Sequence, residues 1–250
     1  MTEGFVPYIA RDRRIGPYRF DMLITDPVAK DWYDSSPDQW MRERQWCIDT
    51  IRPGFTVLDC GAHHGLMTTL FALATGPTGV VHAWDPSPAN AEVIARNAAL
   101  NGCANVVVHA CGVGDAPAEL PFFENRGNVM VLGERADLAA AGKVRIVRLD
   151  DDIDPGLKVD FLKMDVEGHD LPALRGATRI LGMRPYLMLE LHLFLYEDRL
   201  ATVTAILELL ARFGYSMWLD DFQTAVDIGA SPDPARLTSL EHAQLYCVPV

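Results

Sequence analysis

Four acidic side chains stand where short apolar runs end: Asp59 after Thr56–Leu58, Asp85 after Val80–Trp84, Asp165 after Val159–Met164, and Glu190 near the end of Tyr186–Leu191. Two histidines, His169 and His192, follow the last two runs closely. A carboxylate so placed can bind ligand hydroxyls, balance a cation or take a proton. Histidine titrates near neutral pH, which suits it to general-base work. The plainer role for each carboxylate is to cap the helix that follows. Capping accounts for one such position more readily than for four on one rim. For His169 and His192 the plainer role is to bridge the strand–helix turn.

The four carboxylates share a rim only if the runs are parallel strands of one sheet. The pattern supports this, because apolar runs alternate with stretches of helical spacing. Strands are expected at Thr56–Asp59, Val80–Trp84, Val106–Ala110, Val159–Met164 and Tyr186–Leu191. Helices are expected from Leu66 to Gly76, from Ser87-Pro88 to Gly102, through Leu174–Leu181, and over Leu200–Arg212. Alternation of this kind gives an α/β fold, a mostly parallel sheet with helices on both faces. Two last strands, Tyr215–Leu219 and Gln244–Val248, are linked closely enough to be partly antiparallel. Short strands are also expected at Glu119–Phe123 and Asn128–Leu132, with a β-like run at Val144–Leu149.

The turn after the first strand reads Asp59-Cys60-Gly61-Ala62-His63-His64-Gly65. This is not the Gly-x-Gly-x-x-Gly spacing that brings a pyrophosphate against a helix N-terminus. Asp59 would repel a pyrophosphate and attract an ammonium or sulfonium group. Asp85 ends the second strand, where a carboxylate can accept hydrogen bonds from both ribose hydroxyls. A nucleoside carrying a cationic amino-acid tail meets both requirements, and S-adenosylmethionine is such a molecule. An NAD-dependent oxidoreductase is the alternative that the glycine spacing disfavours.

Over 250 residues, 22 basic against 34 acidic side chains leave a formal charge of −12. That balance opposes binding to phosphate backbones, and Asp165-Val166-Glu167-Gly168 stands where a nucleic-acid methylase would carry Asn/Asp-Pro-Pro-Tyr/Phe. Arg11, Arg13 and Arg14 form a short basic cluster expected to be a solvated tail. Five cysteines without Cys-x-x-Cys spacing argue against a disulfide framework or a structural zinc site. Neither a signal peptide nor a membrane-length apolar run is seen, so a cytoplasmic setting without membrane attachment is the default expectation.

Residues 1–52 differ from the rest. They are rich in aromatics, including Trp32, Tyr33, Trp40 and Trp46, and glycine and proline are expected to break regular structure until about Asp38, after which Gln39–Ile51 suits a helix. The stretch reads as an arm or cap over a main domain at 53–250.

Several of these motifs together resemble the FkbM-type methyltransferases, a branch of the class I S-adenosylmethionine-dependent enzymes. They are Asp59 to Gly65, His82-Ala83-Trp84-Asp85-Pro86-Ser87-Pro88, Asn97-Ala98-Ala99-Leu100-Asn101, and most specifically Asp160 to Asp170 with Leu174-Arg175-Gly176-Ala177. Pro185 to His192 extends the match, which runs in register over roughly 50–192. Two departures are His63, where the family usually has Asn, and Asp85, where it often has Glu.

The resemblance implies a Rossmann-like, seven-stranded class I methyltransferase sheet and a reaction that moves a methyl group from S-adenosylmethionine to an oxygen. The acceptor would be a small molecule, a sugar or polyketide-type hydroxyl. A catalytically inactive cofactor-binding module of the same fold is the alternative. Gly61 and Gly65 would admit the methionyl end, with Asp59, Ala62, His63 and Asp165 beside it. Asp85 and Pro86 would hold the ribose, and Gly112 to Asp115 would edge the adenine. Among the candidate catalytic residues His169, Asp165, Glu190 and His192, the resemblance favours His169 as base. Asp165, Glu167, Glu190 and His192 could also hold a divalent cation, and a carboxylate-rich set suits Mg²⁺. Asp165 and Glu167 can share a face only if the backbone turns between them. The acceptor pocket is expected from residues 1–52 and 116–145, and the oligomeric state is left open.

Overall fold

In the computed structural model, which describes residues 5–35, 41–125, 128–131 and 140–250, a hairpin occupies the stretch expected to be irregular. Strands β1 (Tyr8–Ile15) and β2 (Tyr18–Ile24) pair antiparallel across Gly16-Pro17. Gly16 has φ +53°, the left-handed value that a tight hairpin turn needs at its first position. Arg11, Arg13 and Arg14 therefore lie on a strand and not in a tail, with Arg11 paired to Asp21 and Arg13 to Asp34. The apolar side chains of β2, Met22 and Ile24, pack with Leu66 and Leu70 of the main domain. The polar backbone of β2 meets two asparagines: Leu23 N–H donates to Asn97 Oδ1 (2.7 Å), and Asp21 N–H donates to Asn101 Oδ1 (2.8 Å). A short helix α1 (Pro27–Ala29), a π-helical segment Lys30–Ser35 and helix α2 (Met41–Thr50) complete the arm. The expected helix start at Gln39-Trp40 lies outside the described residues, as does Leu132.

The main domain begins with β3 (Thr56–Cys60), α3 (Leu66–Thr75), β4 (Val80–Asp85), α4 (Pro88–Leu100) and β5 (Val106–Ala110). All five residues of β3 are buried, as a central parallel strand covered on both faces requires. Ser87 caps α4 by accepting from Asn90 N–H, and Pro88 takes the first helical position. Next come β6 (Gly112–Val113), β7 (Ala118–Asn125), β8 (Asn128–Val131), β9 (Gly142–Val147) and α5 (Leu149–Asp152). The chain continues through β10 (Phe161–Met164), α6 (Asp170–Arg175), α7 (Thr178–Gly182), β11 (Tyr186–Leu191) and α8 (Arg199–Arg212). It ends with β12 (Tyr215–Asp220), β13 (Ala225–Gly229), α9 (Ala235–Thr238) and β14 (Ala243–Pro249).

The main sheet has the order β13-β12-β14-β11-β10-β3-β4-β5. The five strands from β11 to β5 are parallel, while β14, β12 and β13 pair antiparallel. This is one strand more than the seven expected. The addition is β13, whose connection from β12 is tightened by Asp221, Oδ1 accepting from Gln223 and Thr224 N–H. The chain steps outward from β3 to β4 on one side and later returns to β10 on the other. That reversal opens a crevice at the carboxyl ends of β3 and β10. The runs at 118–147 join β6 in a separate small sheet, β6-β9-β7-β8, beside this crevice. The helix expected over 174–181 is divided into α6 and α7 at Gly176, where a Cβ would stand 1.9 Å from Gly114 O. Among the described residues no helix is long and apolar enough to cross a membrane, and all five cysteines are buried and unpaired.

One buried carboxyl beneath the crevice has a thermodynamic consequence. Asp170, at the start of α6, is wholly buried and accepts from Tyr196 O–H (2.7 Å), and burial pushes its pKa from 3.8 up to about 7. The folded state thus keeps a proton that the unfolded chain releases near pH 4. Native stability should fall as pH rises between those values, at up to about 1.4 kcal/mol per pH unit. Asp170→Asn removes this titration. Its stability relative to the native chain is expected to improve from pH 5 to 7 and level off above. Urea unfolding showing a constant difference over that range would mean that Asp170 is ionised in the fold.

Candidate active site at the strand ends

The loop between β3 and α3 is held in left-handed conformations at Gly61 (φ +79°), His63 (φ +51°) and Gly65 (φ +77°). At Gly61 no side chain fits, because a Cβ would lie 1.6 Å from Asp165 O. Glycine here lets the ends of β3 and β10 close on each other. The loop hangs from β4: Gly61 and Ala62 N–H both donate to Trp84 O (2.9 and 3.0 Å), and His63 N–H donates to Asp85 Oδ2 (2.8 Å). Asp85 Oδ1 accepts from Ser87 N–H (2.9 Å) and the Asn90 side chain (3.1 Å). One carboxylate therefore ties the glycine loop to the start of α4. Burial raises its pKa to about 7.

Asp59 is placed differently from expectation. It is fully buried, accepts from Thr68 Oγ1 (2.6 Å) and stands 3.4 Å from Lys163 Nζ, outside the cavity lining. Lys163 was not singled out in the sequence, although a lysine inside the apolar run Phe161-Leu162-Lys163-Met164 is itself a signal. Its ammonium donates to Gly61 O (3.1 Å) and Asp165 Oδ2 (3.3 Å). Burial disfavours the charged lysine, but Asp165, Asp59 and nearby glutamates outweigh it and hold its pKa above the ordinary value.

These elements border a cavity of about 380 Å³. Gly61, Ala62, His63, Asp85, Pro86 and Gly112 line it. So do Asp165, Glu167, His169, Glu190 and His192. Gly65 and Asp115 do not reach the lining; Gly65 precedes α3 and Asp115 is exposed. The arm contributes Trp32, Tyr33, Glu43 and Arg44, and the small sheet contributes Asn128 and Val131. Tyr33 O–H meets His63 Nδ1 at 2.8 Å, and burial pushes the His63 pKa down to about 3, so its imidazole is neutral. Next to it, His64 Nε2 lies 2.6 Å from Thr25 Oγ1 and 3.1 Å from Asp26 Oδ2. The arm is thereby fastened to the glycine loop.

Both candidate bases, His169 and His192, line this cavity. His169 packs toward Gly114, where an added Cβ would come within 3.1 Å of its Nε2. His192 sits among the carboxylates, its Nε2 3.4 Å from Glu167 Oε2 and its Nδ1 4.0 Å from Asp165 Oδ1. The backbone does turn after β10: Glu167 adopts φ +52°, which brings Asp165 and Glu167 to the same histidine. Asn128 donates to Glu167 Oε1 (2.8 Å). Burial, with Asp165 adding to it, raises the Glu190 pKa to about 8. A residue that sequence reasoning missed joins this group. His242, just before β14, places Nε2 2.7 Å from Glu190 Oε1. No local motif marks it, and only the antiparallel pairing of β14 with β11 brings it there.

Comparison with known proteins agrees with this architecture. "Methyltransferase 1" of Beauveria bassiana (strain ARSEF 2860) is 31% identical over 143 residues, covering 48% of this chain and 57% of that protein. "Methyltransferase sdnD" of Sordaria araneosa is 30% identical over 154 residues, covering 48% of this chain and 59% of that protein. The chain thus spans less than two thirds of either relative's length. The crystal structure of an rRNA methylase from Streptococcus thermophilus matches with a TM-score of 0.50 at 10% identity, over 84% of this chain and 95% of that one. At that identity the likeness concerns the fold alone. A model of the methyltransferase FkbM domain matches residues 59–217, well over half of the chain. With the glycine loop, the strand-end carboxylates and the crevice all inside that span, the chain belongs to the FkbM methyltransferase-domain family.

Proposed function

We propose that this chain transfers a methyl group from S-adenosylmethionine to a hydroxyl oxygen of a small molecule, of sugar or polyketide type. The observation that carries the reading is a cavity lined by the Gly61 loop and Asp85 together with Asp165, Glu167, His169, Glu190 and His192. The residues fit the cofactor. Asp85 offers a carboxylate for ribose hydroxyls, Gly61 and Ala62 bring backbone close to the methionyl end, and Gly112 leaves room for the adenine. When bound, the cofactor supplies a methyl group on a positively charged sulfur, an electrophile that needs no activation by the protein.

The chain's task is to hold the acceptor hydroxyl in line and to accept its proton. Alignment of this kind is worth on the order of 7–11 kcal/mol. The proton goes to the group around His192, whose imidazole and neighbouring carboxylates face the cavity. A divalent cation held by Asp165, Glu167, Glu190 and His192 would assist by lowering the pKa of the hydroxyl. His169 serves the adenine side, given its approach to Gly114.

Isothermal titration with S-adenosylmethionine and S-adenosylhomocysteine, followed by a screen of hydroxylated acceptors with and without Mg²⁺, tests this reading. Once an acceptor is found, His192→Ala is expected to lower kcat by about 10²–10⁴-fold with little change in cofactor KM. His169→Ala is expected chiefly to raise the cofactor KM. Absence of binding by either nucleoside would overturn the proposal.

A further inference from the structure

We propose that Glu190, His192 and His242 form a binding site for a divalent transition-metal ion such as Mn²⁺, Co²⁺ or Zn²⁺, beside the acceptor end of the cavity. Its catalytic use rests on the O-methyl transfer proposed above; its existence rests on the geometry. Strand β11 delivers Glu190 and His192 at its carboxyl end. Strand β14 runs antiparallel to it with Leu191 opposite Ala243, so the residue before β14, His242, arrives beside the residue after β11, His192. The two imidazole rings stand 4.5 Å apart. One donor atom from each of the three residues lies within 4.8 Å of the others. Ligand atoms around a bound ion stand roughly 3 Å apart, given bonds of about 2.0–2.2 Å, so side-chain rotation closes the gap.

Two further observations point to a ligand. His192 is only 8% exposed, yet its Nδ1 has no hydrogen-bond partner. His242 Nε2 approaches Glu190 Oε1 to 2.7 Å without hydrogen-bond geometry. Buried polar nitrogens are normally satisfied, and those that are not call for an explanation. A shared cation supplies one. Asp165 and Glu167 flank His192 with donor atoms of their own within 4.8 Å. All five residues line the cavity, so an ion held there would border the space left for the acceptor.

The donor set decides the kind of ion. Without His242 the group is oxygen-rich and suits Mg²⁺. With two imidazoles it suits manganese, iron, cobalt, nickel or zinc, while Mg²⁺ favours oxygen ligands and retains its waters. An ion here would lower the pKa of the acceptor hydroxyl, and His192, as its ligand, would leave the role of proton acceptor to the neighbouring Glu167 carboxylate.

The test uses the full chain after chelator treatment, titrated separately with CoCl₂, MnCl₂, ZnCl₂ and MgCl₂ by calorimetry, with the visible spectrum of the Co²⁺ form recorded. One Co²⁺ per chain with d–d bands is expected. His242→Ala and His192→Ala should each weaken it by at least about tenfold. His242→Gln, which keeps a polar side chain at this partly exposed position, should weaken it too. Three results would each overturn the proposal: no stoichiometric uptake of Co²⁺, Mn²⁺ or Zn²⁺, unchanged affinity in all the histidine variants, or Mg²⁺ binding as tightly as Co²⁺. S-adenosylhomocysteine is titrated into the same samples. Loss of nucleoside binding with metal uptake intact sinks the methyltransferase reading alone, and the reverse sinks the metal site alone.

Discussion

Asp85→Ala is expected to weaken S-adenosylmethionine binding by at least about a hundredfold, because two charge-assisted hydrogen bonds at about 1.5–3 kcal/mol each disappear. The carboxylate lines the cavity and also accepts from His63 N–H, Ser87 N–H and the Asn90 side chain. The variant thus loses both the ribose acceptor and the anchor of the glycine loop. Asp85→Asn separates the two, since the amide oxygen can still accept from His63 N–H but the charge is gone. The same group sets a pH dependence. In the ligand-free fold its pKa is raised by burial to about 7, so below that value it is mostly protonated. Ribose hydroxyls favour the ionised form, so binding must release a proton at lower pH. Affinity should therefore rise with pH up to about 7 and then level off. Calorimetry at pH 6 and 8, in buffers of different ionisation enthalpy, reads both the affinity and the proton. An affinity insensitive to pH and to Asp85→Ala would place the ribose elsewhere.

Lys163→Met should cost about 3–5 kcal/mol of stability, the range for removing one partner of a buried ion pair. The methionine fills similar volume, so the loss is electrostatic: Asp59, fully buried, keeps only Thr68, and Gly61 O loses its donor. Adding Asp59→Asn removes the stranded charge and should recover much of the loss. If the single variant does not fold, the double variant still reports, because it should fold and unfold reversibly in urea. A single-variant cost below about 1 kcal/mol would show that the lysine is not the pivot of this network.

Much of the main domain was legible in the sequence. The runs ending at Asp59, Asp85 and Asp165 became β3, β4 and β10, because continuous apolar runs bounded by turn residues belong to buried parallel strands. The arm was misread for a reason of weighting. Gly16-Pro17 reads locally as a break, yet a glycine between two alternating runs is also a hairpin turn. In β1 the alternation is masked by Arg11, Arg13 and Arg14, and the partners of the first two, Asp21 and Asp34, lie ten and more residues away. Strand β13 was missed because its run is short, carries Asp227 and ends at Gly229, so little distinguishes it from a loop.

At the site, residue type and strand-end position sufficed to pick out Gly61, Asp85, Asp165, Glu190 and His192, all of which reach one cavity. Motifs near in sequence carry that information, since a glycine turn or a strand-end carboxylate is a local feature. What the tertiary structure alone decided depends on contacts between distant segments. Asp59 is held by Thr68 and Lys163 outside the cavity lining; His169 and His192 both line the cavity, the first packed toward Gly114 and the second among carboxylates; and His242 enters just ahead of the last strand. Strand pairing and burial decide where such side chains meet, and neither is written in the spacing of residues along one segment.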